Sequence, residues 1–104
     1  MGLAQLNLPI DHSFLVGDSI NGLAFKLFWH SDYGAFRSGY TDGNIFNLGV
    51  LSSAFGDRTI ARGSNSFASG STAYASGVSS SALGQGTVSQ AYASTAVGTY
   101  NLVP

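Results

Sequence analysis

Gly49, Gly56, Gly63, Gly70, Gly77, Gly84 and Gly98 fall on one series with a step of seven, and only Ala91 interrupts it. From Gly56 onward, and counting Ala91, two positions before each stands a second column: Ala54, Ala61, Ala68, Ala75, Ala82, Ser89 and Ala96. Two before that comes a third: Ser52, Thr59, Ser66, Ala73, Ser80, Thr87 and Ser94. Seven is also the coiled-coil period, but a coiled coil needs bulky apolar residues at its a and d positions. Here the fixed residues are small, and a Gly every seven positions, at about 1 kcal/mol each, forbids a helix. The three columns sit at i, i+2 and i+4, so they share one face of a strand. That face encloses an interior wide enough only for methyls and hydroxyls. Gly closes each strand where φ turns positive or where backbone packs closely on the coil beneath. The pattern predicts a chain wound into narrow, stacked β coils.

The residues flanking the Ala column reveal a longer period. One set reads Ser53/Phe55, Phe67/Ser69, Ser81/Leu83 and Thr95/Val97; the alternate set reads Ile60/Arg62, Tyr74/Ser76 and Val88/Gln90. Two heptads of different character make a coil of about fourteen residues, with one strand on each wall. At a strand spacing of about 4.8 Å, three to four coils stand roughly 17 Å tall. Alanine methyls return about 0.8 kcal/mol per buried carbon, against about 1–2 kcal/mol for ordering each backbone residue. So thin a core predicts an obligate oligomer in which Phe55, Phe67, Leu83 and Val97 are buried on a shared axis, while Arg62 and Gln90 face water.

Asn65-Ser66-Phe67-Ala68-Ser69-Gly70, Ser80-Ser81-Ala82-Leu83-Gly84 and Ser94-Thr95-Ala96-Val97-Gly98 resemble the head repeat of YadA-like trimeric adhesins, also called Hep/Hag repeats. Ala35-Phe36-Arg37-Ser38-Gly39-Tyr40, leading through Asn44-Ile45, looks like the lead-in before such repeats in some bacterial surface proteins. The resemblance covers residues 35–100. It implies an all-β fold, a left-handed parallel β-roll of which three copies pack around a threefold axis. It also implies a non-enzymatic, extracellular or cell-surface attachment role, with a host or cell-surface glycan or protein as partner. The family's asparagine column survives here only at Asn65, and its Val/Ile pairs are mostly lost. The family's export signal, coiled-coil stalk and membrane anchor are not found in these residues. A second expectation follows: a structural subunit of an extracellular filament, a phage-like tail fibre or a contractile injection particle.

Residues 1–46 carry no repeat and are expected to form an aromatic-rich β cap or docking segment, with the repeats occupying residues 47–104. Leu23 to Trp29 reads as a strand with Leu23, Phe25, Leu27 and Trp29 on one face and Ala24, Lys26 and Phe28 on the other. His30-Ser31-Asp32 is turn chemistry before a second strand, Tyr33 to Tyr40, and Thr41-Asp42-Gly43-Asn44 is a further turn. Leu6, Leu8, Ile10, Phe14 and Val16 alternate as an earlier extended segment. A solenoid needs a cap, because a bare terminal coil is an exposed strand edge. The aromatics also make Phe28, Trp29, Tyr33 and Tyr40 a candidate docking surface.

Charge excludes one class and chemistry offers little to others. The net charge is −1 with four basic residues, and no residue after Arg62 is charged, whereas a nucleic-acid binder needs a basic stripe for phosphates. There is no Cys, hence no thiolate metal site or disulfide. No apolar run is long enough to cross a bilayer, and residues 1–10 lack the basic and apolar regions of an export signal. His12 and His30 are far apart, and His30 with Asp32 reads as a locally satisfied turn. No nucleophile elbow surrounds any serine, and Gly84-Gln85-Gly86 precedes no helix. The expectation is no catalytic residue, no metal and no cofactor. Ranks of Thr can bind ice from a flat outer face, but these share the inward parity of Ala and Gly. Arg37, alone among apolar neighbours, is expected to make a buried hydrogen bond or an ion pair with Asp42 or Asp57.

Overall fold

The computed structural model describes residues 14–16, 23–42, 45–100 and 102–103. Four longer strands, β4 (Ser53–Asp57), β6 (Phe67–Ser71), β8 (Ser81–Gln85) and β10 (Thr95–Thr99), alternate with four short ones, β5 (Ile60–Ala61), β7 (Tyr74–Ala75), β9 (Val88–Ser89) and β11 (Leu102–Val103). Every pairing among them is parallel and offset by fourteen residues, as in Ala54↔Ala68↔Ala82↔Ala96 and Ala61↔Ala75↔Ser89. The expected β-solenoid is present, with its long strands on one wall and short ones on the other.

The predicted inward columns are buried. Ala54, Ala61, Ala68, Ala73, Ala75 and Ala82 form one cluster with no exposed surface, and Ser52, Thr59, Ser66, Ser80, Thr87 and Ser89 are buried beside them. Some hydroxyls close the corner behind them: Ser52 donates to the Gly49 carbonyl at 2.6 Å, and Ser80 to that of Gly77 at 2.7 Å. The Thr59, Ser66 and Thr87 hydroxyls are buried without a partner.

The repeat glycines serve two purposes. Gly56, Gly70, Gly84 and Gly98 hold φ between 119° and 130°, a region closed to other residues. Gly49, Gly63 and Gly77 have no positive φ, yet a Cβ at Gly63 would lie 2.0 Å from the Gly77 carbonyl oxygen. At this half of the series, close stacking alone demands glycine. A second sevenfold series lies at the corners, where Leu51, Arg58, Asn65, Thr72, Ser79, Gly86, Ala93 and Tyr100 are all left-handed, with φ from 53° to 63°. Their amides reach back to the preceding coil, as in Asn65 to Val50 and Thr72 to Asp57, both at 2.8 Å. The one surviving asparagine thus stands where a left-handed residue is needed.

The cap is continuous with the solenoid. Strands β1 (Phe14–Val16), β2 (Leu23–His30) and β3 (Ala35–Asp42) join the longer wall in one seven-stranded sheet, ordered β1-β2-β3-β4-β6-β8-β10. β1–β2 and β2–β3 are antiparallel, whereas β3 is parallel to β4 with Arg37 opposite Ala54 and Gly39 opposite Gly56. Ala35, Arg37 and Gly39 therefore occupy the three inward columns, so the sheet crosses the expected boundary at residue 46 without a break. β3 starts two residues later than expected because Tyr33 and Gly34 complete the turn, with Gly34 at φ 64° and its amide bonded to the His30 carbonyl at 2.8 Å. A 3-10 turn, Ile45–Asn47, leads into the first coil. The expected segment at Leu6–Ile10, His12 and the turn residues Gly43 and Asn44 lie outside the described residues.

Candidate binding surface

Arg37 shows how the cap meets the coils. In the Ala column its guanidinium enters the solenoid interior, and the residue is only 1% exposed. It donates to the carbonyls of Phe36 at 3.0 Å, Asn47 at 3.1 Å and Ala61 at 2.9 Å. On the short wall at this level Leu48 bridges Ala61, and the Ala61 carbonyl accepts from the Gly49 amide at 2.9 Å as well as from the guanidinium. Burial lowers its pKa from the ordinary guanidinium value to about 10. The expected buried hydrogen bond is present. Asp57 does not reach Arg37: its carboxylate pairs with Arg58 at 3.4 Å. The Asp42 side chain lies outside the described part.

This register fixes which face of β2 points inward, because Phe28 lies opposite Arg37 and Trp29 opposite Phe36. Phe28 is fully buried with Ala35 and Leu48, with Leu15 and Tyr33 against them, and Lys26 is buried 5.6 Å from the centre of the Phe28 ring. The richer apolar face, Leu23, Phe25 and Trp29, is left exposed. Of the expected docking residues, Phe28 is therefore core and offers a partner nothing. Trp29 is exposed, and Tyr33 and Tyr40 are half-buried.

The outer face of the seven-stranded sheet carries one apolar stripe. Register places Phe55, Ser69, Leu83 and Val97 in one cross-strand row and Ser53, Phe67, Ser81 and Thr95 in the next. Phe55 and Phe67 are each 37% exposed and Val97 58%, while Leu83 is half-buried. The Phe55 ring lies 5.4 Å from Phe36 and 5.8 Å from Phe67, so the stripe runs on into the cap. Arg62 and Gln90 are exposed after the strands of the opposite wall, where Arg62 donates to the Tyr74 hydroxyl at 3.1 Å. Thr59 and Thr87 face inward, as parity required.

Phe25 and Phe36 were not expected on this surface. Their signal was Ala35-x-Arg37-x-Gly39, a copy of the repeat with Arg in the Ala column, which sets the parity of both cap strands. His30 packs edge-on against Tyr33 at 5.1 Å, and Asp32 is exposed. Among the described residues no three His, Asp or Glu gather where a metal ion could sit. No helix among them is long and apolar enough to cross a membrane. These features define a capped β-solenoid with an aromatic outer face. Comparison with protein-family models, curated proteins and solved structures finds no match.

Proposed function

We propose that the chain is a non-enzymatic, adhesin-like head or fibre module, working outside the cell as a homotrimer of left-handed β-rolls. The observation that carries this reading is the apolar stripe of Phe55, Phe67, Leu83 and Val97 on the wall of a solenoid whose coils, beyond Arg37 and Leu48 at the cap end, bury only small residues such as Ala, Ser and Thr. Burying each of those side chains is worth about 1.5–3 kcal/mol, more than the thin interior supplies locally. A contiguous exposed apolar patch of this kind marks an interaction surface. Three copies related by a closed rotation would bring their stripes together on one axis. Sedimentation of the purified chain should then give three times the 10.7 kDa chain mass. A stable, folded monomer at micromolar concentration defeats the proposal.

The second reading, a building block of a filament, tail fibre or injection particle, is favoured by one feature. No residue after Arg62 is charged, so like-charge repulsion does not oppose stacking of coils end to end. Electron micrographs of continuous filaments would select it over discrete trimers.

A further inference from the structure

We propose that the recess where the cap meets the first coil is a binding site for a neutral saccharide, with Phe25 as the stacking platform and Asp57 and Arg58 as the hydrogen-bonding pair. The proposal names a ligand class for the attachment role above and rests on that reading only for its biological use.

Phe25, Tyr40 and Asp57 are register partners across β2, β3 and β4, so they leave the same face in one row. Phe25 is 80% exposed, its ring 4.8 Å from that of Tyr40. Arg58 is the left-handed corner residue at φ 55°, its amide bonded to the Tyr40 carbonyl at 2.7 Å. Its guanidinium lies over the Tyr40 ring, 5.1 Å from the centre, and beside the Asp57 carboxylate. Gly39 and Gly56 complete the lining of a cavity of 530 Å³. That volume is in the range of small-molecule sites, roughly 300–1,000 Å³.

The chemistry of the lining selects the ligand. Asp57 and Arg58 neutralise each other, so the recess has no net charge with which to attract an ion. An anion would meet Asp57 and a cation would meet Arg58. A wholly apolar ligand would cover the pair and strip its water without replacing it, which costs free energy. A pyranose suits both halves: its C–H face covers the Phe25 ring, two hydroxyls donate to the Asp57 carboxylate, and another accepts from Arg58. Beyond Asp57 the same row continues through Ser71 and Gln85 on successive coils. Their spacing is close to that of sugar rings in an extended chain, so an oligosaccharide would run along the row.

The test is a titration of the full chain with neutral mono- to tetrasaccharides of glucose, galactose, mannose and N-acetylglucosamine, with sialic acid as the anionic control. Ring resonances of Phe25 and Tyr40 report occupancy. Expected are shifts with at least one neutral series, tighter binding with length, and a tenfold or greater loss in Phe25→Ala and in Asp57→Asn. Gln85→Ala should weaken only the longer ligands. The exposed Phe25 ring makes little core contact, so its removal should leave the fold intact. No shift with any neutral sugar, binding of sialic acid alone, or wild-type binding by Phe25→Ala overturns the proposal. A changed sedimentation mass in Phe25→Ala with unchanged sugar binding also overturns it, and assigns the face to contact between copies. A monomer that binds sugar removes the trimer and keeps the site, whereas a trimer that binds none does the reverse.

Discussion

Thr72 holds a backbone angle that its side chain opposes. At φ 53° its branched Cβ crowds the neighbouring carbonyl, at a cost of about 1–2 kcal/mol for an L residue. Asn tolerates this region best after Gly, and Asn65 occupies the equivalent corner. Thr72→Asn should therefore stabilise the fold by about 0.5–1 kcal/mol, seen as a higher denaturant midpoint with an unchanged slope. Gly70→Ala is the opposite case within the same corner. Its Cβ would lie 2.0 Å from the Gly84 carbonyl oxygen at φ 121°, and a loss of more than about 4 kcal/mol is expected. If both variants melt like the parent chain, the corner geometry is wrong.

Strand β3 is the element on which the architecture turns, because it pairs antiparallel with the cap and parallel with the coils. Arg37 makes that double role workable by filling the end of the interior and bonding carbonyls of Asn47 and Ala61. Hydrogen bonds from a charged donor are worth about 1.5–3 kcal/mol each. The fall of its pKa to about 10 implies a desolvation cost on the order of 3 kcal/mol that offsets part of this. Arg37→Ala is expected to lose roughly 1–3 kcal/mol net, with the vacated space adding to the loss. The sign of the pH dependence follows from the lowered pKa. Below it both folded and unfolded chains hold the proton, so the difference between variant and parent should stay constant from about pH 6 to 9. Above about pH 10 the unfolded chain retains a proton that the folded one releases, and the desolvation penalty relaxes as pH rises. Chemical denaturation across that range checks both statements; a more stable Arg37→Ala, or a difference that drifts between pH 6 and 9, contradicts them.

The described molecule is elongated, 48 × 22 × 18 Å, with its apolar side chains arranged outside more than inside. A symmetric assembly would give that outer face a partner, and Leu83 and Gln90 separate the two walls. In the proposed trimer, Leu83→Asp would place a carboxylate from each of three copies near one apolar axis, where desolvation and like-charge repulsion both oppose ionisation. Assembly should fail at neutral pH and recover only when the carboxylates are protonated, while Gln90→Asp on the other wall should be nearly silent. Sedimentation of both variants at acidic and neutral pH decides the matter. Normal assembly of Leu83→Asp at neutral pH would show that the stripe faces something other than its own copies.

By itself the sequence determined the solenoid, its fourteen-residue coil and the inward Ser/Thr, Ala and Gly columns, because a period-two pattern reset every seven residues admits only one parity. The strand Leu23–His30 was legible as a strand, but its facing was not. Hydrophobicity alone would bury Leu23, Phe25, Leu27 and Trp29, whereas the structure buries Lys26 and Phe28. That choice was made at long range: β3 must lie in register with β4, Arg37 must take the Ala column, and β2 inherits its parity across the hairpin. The recess of Phe25, Tyr40, Asp57 and Arg58 is a consequence of the same pairing. Its residues stand up to 33 positions apart, and no local pattern joins them. A strand's period is a local property of the chain, but which of its two faces is buried depends on the strand it pairs with.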